Sequence, residues 1–177
     1  YGKASMPGMP ICAPMTPQEY KQIWSFFMNS DTPLLVSEHR RSYKEKKEFK
    51  NEVNPKSKIS IFLISAVRFQ VSEIKLALQK KRITADIFHI VWLKPFKINK
   101  KYIESLKKTK KGLIIDSTYE ICSVSEHMAY KLMTNIKNIQ VHNLGMKDKS
   151  PGVTKNLLNG TPSTERIVKK ILEIIEE

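Results

Sequence analysis

The run Ser37-Glu38-His39-Arg40 holds the groups best suited to chemistry in this 177-residue chain, with an acid, an imidazole and a guanidinium side by side. Arg40 can grip a carboxylate or phosphate through paired hydrogen bonds. His39 can titrate near neutrality, and Glu38 can hold either neighbour in place. The same residues also fit a plainer account, in which Arg40 beside Arg41 is an exposed connector cation and Glu38 pairs with a nearby lysine. Glu38, His39 and Arg40 are therefore the expected substrate-binding set, and no catalytic residue or metal ligand is expected.

Other chemistries find no support. The six glycines are scattered singly, so neither a Walker loop nor a dinucleotide fingerprint can be assembled. No Ser/His/Asp or Cys/His set is legible in order or context. Cys12 and Cys122 lack metal-ligand spacing and read as reduced, partly buried thiols. His39, His89, His127 and His142 are equally dispersed.

The elements that must position the charged run are legible on either side of it. Residues 11–13 form a short apolar run between Pro10 and Pro14, which fits a brief buried strand. Thr16-Pro17-Gln18-Glu19 reads as a helix start, with Thr16 as cap, Pro17 in the first turn and Glu19 closing a capping box. Tyr20, Ile23, Trp24, Phe27 and Met28 then mark one helical face that must pack against something large. Pro33 opens the buried strand 34–36, whose carboxyl end carries the run; in open α/β sheets ligands bind at that end. Residues 41–58 are polar, charged and without apolar runs, as in an exposed linker.

Beyond the linker the pattern alternates. Strands are expected over 59–65, 85–93, 113–116 and 139–143, and helices over 69–81, 100–108, 124–136 and 163–175. Such alternation predicts an α/β fold, a mainly parallel sheet covered by helices on both faces. Val71, Ile74 and Leu78, with Ile167, Val168, Ile171, Leu172 and Ile175, supply stripes for its core.

The chain carries a net charge of +14 with 41% hydrophobic residues, enough to bury a core. No apolar run approaches the length of a membrane span. Lysine and arginine concentrate over 40–58, 94–111 and 131–155, mostly opposite apolar residues as in a solvated face. Neither aromatic interleaving nor a groove-reading motif accompanies them, so nucleic acid and membrane are not expected partners.

The order Pro7-Gly8-Met9, then Pro14-Met15-Thr16-Pro17-Gln18-Glu19, then Asp31-Thr32-Pro33 through Glu38-His39-Arg40 resembles the β subunit of thiamine-diphosphate-dependent 2-oxo acid dehydrogenases, within the wider transketolase family. Residues 59–65, the run IFHIVWLKP over 87–95, 112–116 and Leu144-Gly145 extend the resemblance to nearly the whole chain, about the C-terminal half of such a subunit. It implies that residues 1–40 close a pyrimidine-binding domain whose opening half lies upstream of Tyr1, that 41–58 link, and that 59–177 form the transketolase-like C-terminal domain. It further implies thiamine diphosphate and Mg in the complete enzyme, held largely by an α-type subunit, with none expected on this chain alone. The glutamate and histidine that act on the cofactor would lie upstream, while Arg40 stands where relatives carry a substrate-binding cation. Ser30 and Thr32 depart from the acidic or amide residues that hold a monovalent cation in some β subunits, so that ion is not expected. Lys131 and Lys169-Lys170 likewise depart from the acidic surface that docks an acyltransferase core.

The implied role is the C-terminal portion of a β-type subunit, serving assembly and shaping the substrate entrance. Its expected partners are the α-type subunit, or the rest of the same enzyme, and further copies of itself. The implied location is cytoplasmic, or the matrix of a mitochondrion or plastid. A sugar-phosphate transketolase or deoxyxylulose-phosphate synthase-like subunit, and a non-catalytic basic assembly or nucleic-acid-associated module, stand as alternatives.

Overall fold

The computed structural model describes residues 7–150, 152, 154 and 158–177. Expectations for residues 1–6, and for the part of the basic stretch at 151, 153 and 155, lie outside the described residues.

The chain opens with strand β1 (Ile11–Cys12), helix α1 (Pro17–Met28) and strand β2 (Leu35–Val36), a parallel strand-helix-strand unit. The helix begins where expected, but its start is held differently. Thr16 is extended at the cap position and its side chain makes no cap bond; its hydroxyl donates to Glu48 instead. Glu19 reaches past Thr16 to accept from the Met15 N–H at 2.8 Å. The capping box is thus replaced by a bond one residue upstream and by a contact from residue 48. Only Ile23 of the expected apolar stripe is buried, and Trp24, Phe27 and Met28 face outward.

A short 3-10 helix, Arg40–Lys44, follows, and residues 45–58 continue as an irregular stretch. Most side chains over 41–58 are exposed, as the polar composition implies, yet the backbone is fastened. Glu48 accepts from the Gln18 N–H at 3.0 Å. Glu52 and Ile87 exchange two backbone hydrogen bonds of 2.8 Å, which covers the outer edge of the larger sheet. Asn54 N–H donates to the buried Asp86 at 2.8 Å.

The rest alternates as expected: β3 (Ile59–Ile64), α2 (Val71–Lys80) after a 3-10 turn over Ser65–Gln70, β4 (Ala85–Ile90), β5 (Trp92–Lys94), α3 (Lys100–Thr109), β6 (Lys111–Tyr119), α4 (Val124–Asn135), β7 (Gln140–Met146) and α5 (Thr164–Glu176). Four strands form a parallel sheet in the order β4-β3-β6-β7. Period-two alternation divides β3 between two cores. Ile59, Ile61 and Leu63 meet Ile74 and Leu78 of α2 and Ile167, Ile171 and Ile174 of α5. Phe62 and Ile64 meet Leu106 of α3 and Met128 and Leu132 of α4. Helices therefore cover both faces, and each of these fully buried large side chains stabilises the fold by roughly 1.5–3 kcal/mol. Helix starts follow local chemistry: Asn99 caps α3, and Ser123 with Glu126 forms a complete capping box on α4.

The expected single strand over 85–93 is two strands. β4 ends at Ile90, and after Val91 the chain enters β5, which pairs antiparallel with β1 in a second sheet ordered β2-β1-β5. Val91 O accepts from Ala13 N–H at 2.8 Å. An apolar run long enough for one strand conceals this change of sheet, because both halves are buried or half-buried.

Candidate functional site

Strand β2 delivers Glu38, His39 and Arg40 to its carboxyl end as expected, and the structure gives each its surroundings. Glu38 accepts from the Tyr43 hydroxyl at 2.8 Å, which raises the tyrosine pKa. It therefore braces the 3-10 helix, and neither Arg40 nor a connector lysine takes it. His39 Nδ1 accepts from the Arg41 N–H at 3.3 Å and caps the same helix. Its ring lies 6.2 Å from Phe69, over which the Arg41 guanidinium sits at 4.6 Å. Arg40 is exposed at the start of the 3-10 helix. The carboxyl ends of β2, β3 and β6 meet beside this trio around a cavity of 260 Å³, lined among others by Ser37, Ser65, Asp116 and Thr118.

A second cluster, missed in the sequence, joins three parts of the chain. Arg68 is wholly buried after β3 and forms a two-bond ion pair with Glu19 of α1. Its Nε–H donates to His89 Nδ1 on β4 at 3.3 Å. Phe49 stacks on the His89 ring at 5.1 Å and 17°, and the guanidinium lies 4.9 Å from the centre of that phenyl ring. His89 N–H donates to Asn51 Oδ1 at 2.8 Å. Burial, and then the Arg68 charge, push the His89 pKa down to about 3, so the ring is a fixed neutral acceptor toward Arg68. The cluster clamps α1 and the 41–58 segment to the parallel sheet. One signal was available: Arg68 is a lone cation within the otherwise apolar run Ala66-Val67-Arg68-Phe69. Glu19, already assigned to capping, hid its partner.

Near the opposite end of the sheet, Asp86 is buried under α3. Burial alone would raise its pKa, but bonds from Asn54 N–H, Lys108 and Ser105 hold it below the usual carboxylate value. Cys12 is fully buried, which pushes its thiol up to about 12 and leaves it unreactive. Among the described residues no three His, Cys, Asp or Glu side chains are grouped to hold a metal, and no helix is long and apolar enough to cross a membrane. A groove of 660 Å³ runs between α1 and the β5–α3 region, lined by Ile23, Phe26, Trp92, Phe96 and Tyr102 and reached by Glu19 and His89. The arrangement offers binding surfaces, a cationic rim and a rigid clamp.

Comparison with known proteins gives this geometry a context. The chain is 24% identical over 142 residues to the pyruvate dehydrogenase E1 component subunit beta-3, chloroplastic, of Oryza sativa subsp. japonica, covering 74% of this chain and 36% of that protein. It is 28% identical over 123 residues to the chloroplastic beta-2 subunit of Arabidopsis thaliana, covering 63% and 30%. In fold it matches a split-gene transketolase, solved as an inactive β4 tetramer, with a TM-score of 0.73 and 16% identity over 97% of this chain and 58% of that one. The chain thus resembles part of pyruvate dehydrogenase β subunits in sequence and shares its fold with transketolases. A transketolase from Campylobacter jejuni gives a TM-score of 0.65 at 16% identity, over 96% of this chain and 27% of that one. No family model matches. The chain spans roughly a third of the length of the curated relatives it matches.

Proposed function

We propose that this chain is the C-terminal part of a β-type subunit of a thiamine-diphosphate-dependent 2-oxo acid dehydrogenase, serving subunit assembly and shaping the substrate entrance. On this reading residues 1–40 belong to a pyrimidine-binding domain, 41–58 connect, and 59–177 form the C-terminal domain. The observation that carries it is the outward face of α1. Trp24 and Met28 are 64% and 62% exposed, and the Phe27 ring lies 6.1 Å from that of Trp24. A contiguous apolar face of this kind marks an interface. Similarity to β subunits and to a transketolase solved as a β4 tetramer supports the same reading.

Arg40, His39 and Glu38 then stand at the rim of the site, where the exposed guanidinium receives the carboxylate of a 2-oxo acid. The donor set there, one carboxylate, one imidazole and one guanidinium, does not suit a diphosphate with Mg. On this reading the cofactor is bound by the remainder of the enzyme, with an α-type subunit as partner. The exposed cation at Arg40 also favours a second reading, a transketolase or deoxyxylulose-phosphate synthase-like subunit whose substrate carries a phosphate. Arg40→Gln in the assembled enzyme separates the two by which substrate, oxo acid or sugar phosphate, suffers the rise in KM.

Sedimentation of the chain tests the assembly role. Wild type is expected to self-associate with rising concentration, and Trp24→Asp to weaken association while leaving the far-UV spectrum unchanged. The isolated chain is also expected to show no micromolar thiamine diphosphate binding by calorimetry. A wild-type chain that stays monomeric throughout, or one that takes up the cofactor tightly, overturns the proposal.

A further inference from the structure

The groove between α1 and the β5–α3 region, at 660 Å³, has the volume of an ordinary small-molecule site. Its walls are aromatic. Phe26 of α1 meets Trp92 of β5 edge to face at 4.9 Å, and Phe96 stacks with Tyr102 of α3 at 6.2 Å. Ile23, Pro10 and Pro95 complete the apolar lining. Such walls favour a flat ring system, which buries a large area against them at little conformational cost.

Its polar lining is Glu19, Gln22, His89, Lys97 and Asn99, of which only Glu19 and Lys97 carry a formal charge. Glu19 lines the groove, but its carboxylate is consumed by Arg68 and the Met15 N–H. Because Arg68 Nε–H donates to His89 Nδ1, the neutral imidazole carries its proton on Nε2, and His89 is a groove residue. Lys97 is exposed and lines the mouth. With the Glu19 charge already compensated, the uncompensated charge along the lining is positive.

We propose that this groove binds a planar aromatic compound bearing a carboxylate, its rings against Phe26, Trp92, Phe96 and Tyr102 and its carboxylate received by Lys97 Nζ and His89 Nε2–H. The site lies between the two sheets and is separate from Glu38, His39 and Arg40. It does not depend on the assembly role proposed above.

The probes are 2-naphthoate and its cationic counterpart 2-naphthylmethylammonium, titrated into the full chain by calorimetry. Naphthoate is expected to bind saturably, and the cation at least about tenfold more weakly, the factor that corresponds to one charge-assisted hydrogen bond. Lys97→Gln, an exposed change that spares the fold, is expected to lower naphthoate affinity by about three- to tenfold at low salt. Trp92→Ala is expected to remove binding, and Trp24→Ala, on the outward face of α1, to leave it unchanged. Equal binding of both probes, no saturable binding of naphthoate, or insensitivity to both Lys97→Gln and Trp92→Ala overturns the proposal. Loss of binding in Trp24→Ala alone also overturns it, since the ligand would then lie on the α1 surface. Sedimentation reads the assembly role independently of all these outcomes.

Discussion

His89 shows how one side chain can be committed by its neighbours. Its pKa falls from an ordinary 6.5 to about 3 because burial and the Arg68 guanidinium both oppose a second charge. Over that interval the unfolded chain binds the proton and the folded chain does not. The stability contributed by this group is thus complete above about pH 6.5 and is lost as pH falls toward 3. Thermal unfolding followed from pH 7 to 4 is expected to show a steeper acid decline for wild type than for His89→Phe, which keeps a ring against Phe49; parallel curves would assign the decline elsewhere. Glu19 offers a second test. Converting it to glutamine leaves the wholly buried Arg68 charge without its counter-ion, an expected loss of about 3–5 kcal/mol in urea unfolding. A cost below about 1 kcal/mol would mean that water or rearrangement compensates the guanidinium. These residues also mark the limit of sequence reading. Glu38, His39 and Arg40 were visible because they are consecutive, whereas Glu19, Phe49, Arg68 and His89 come together only through tertiary contacts spanning up to 49 positions, and local spacing carries no trace of such a set.

Among the elements, helices were easiest to foresee, because the apolar stripes of α2 and α5 repeat at the helical period and face a single core. Strand ends were harder. The β4–β5 run is continuously apolar, and nothing in composition says that Val91 passes the chain from one sheet to another. The extension of β6 beyond Asp116 was hidden for a different reason. After Ile115 its register with β7 shifts, resuming where Tyr119 faces Met146, and the polar residues 116–118 do not read as strand. Gly145 makes that irregularity possible: a Cβ there would press on the Thr118 carbonyl and come within 2.7 Å of Glu120 N. Gly145→Ala is therefore expected to destabilise by about 1–3 kcal/mol through overpacking and to move the backbone at 118–120. Chemical denaturation gives the cost and amide chemical shifts locate it. Unchanged shifts over 118–120 would show that β7 itself yields.

At the scale of the whole molecule, the α/β class followed from alternation alone, since helices between successive strands leave little option but a parallel sheet with two covered faces. How the first forty residues attach did not follow, because the attachment runs through Glu19, Glu48 and the single β1–β5 pairing. If the outward face of α1 associates as proposed, unfolding temperature will rise with protein concentration, a mass-action signature that stability measurements on this chain should be corrected for. The position of β5 has a further consequence, for the order in which the chain is made. β1 and β2 leave the ribosome before the strand that flanks β1 on its other side, which comes about eighty residues later and is reached only through β4. β1 and β2 are thus made well before their sheet can be completed. During translation the Trp24-bearing helix waits beside an unfinished sheet, open to chaperones, and the parallel sheet that follows it serves as the template on which the β1-α1-β2 unit is finally set.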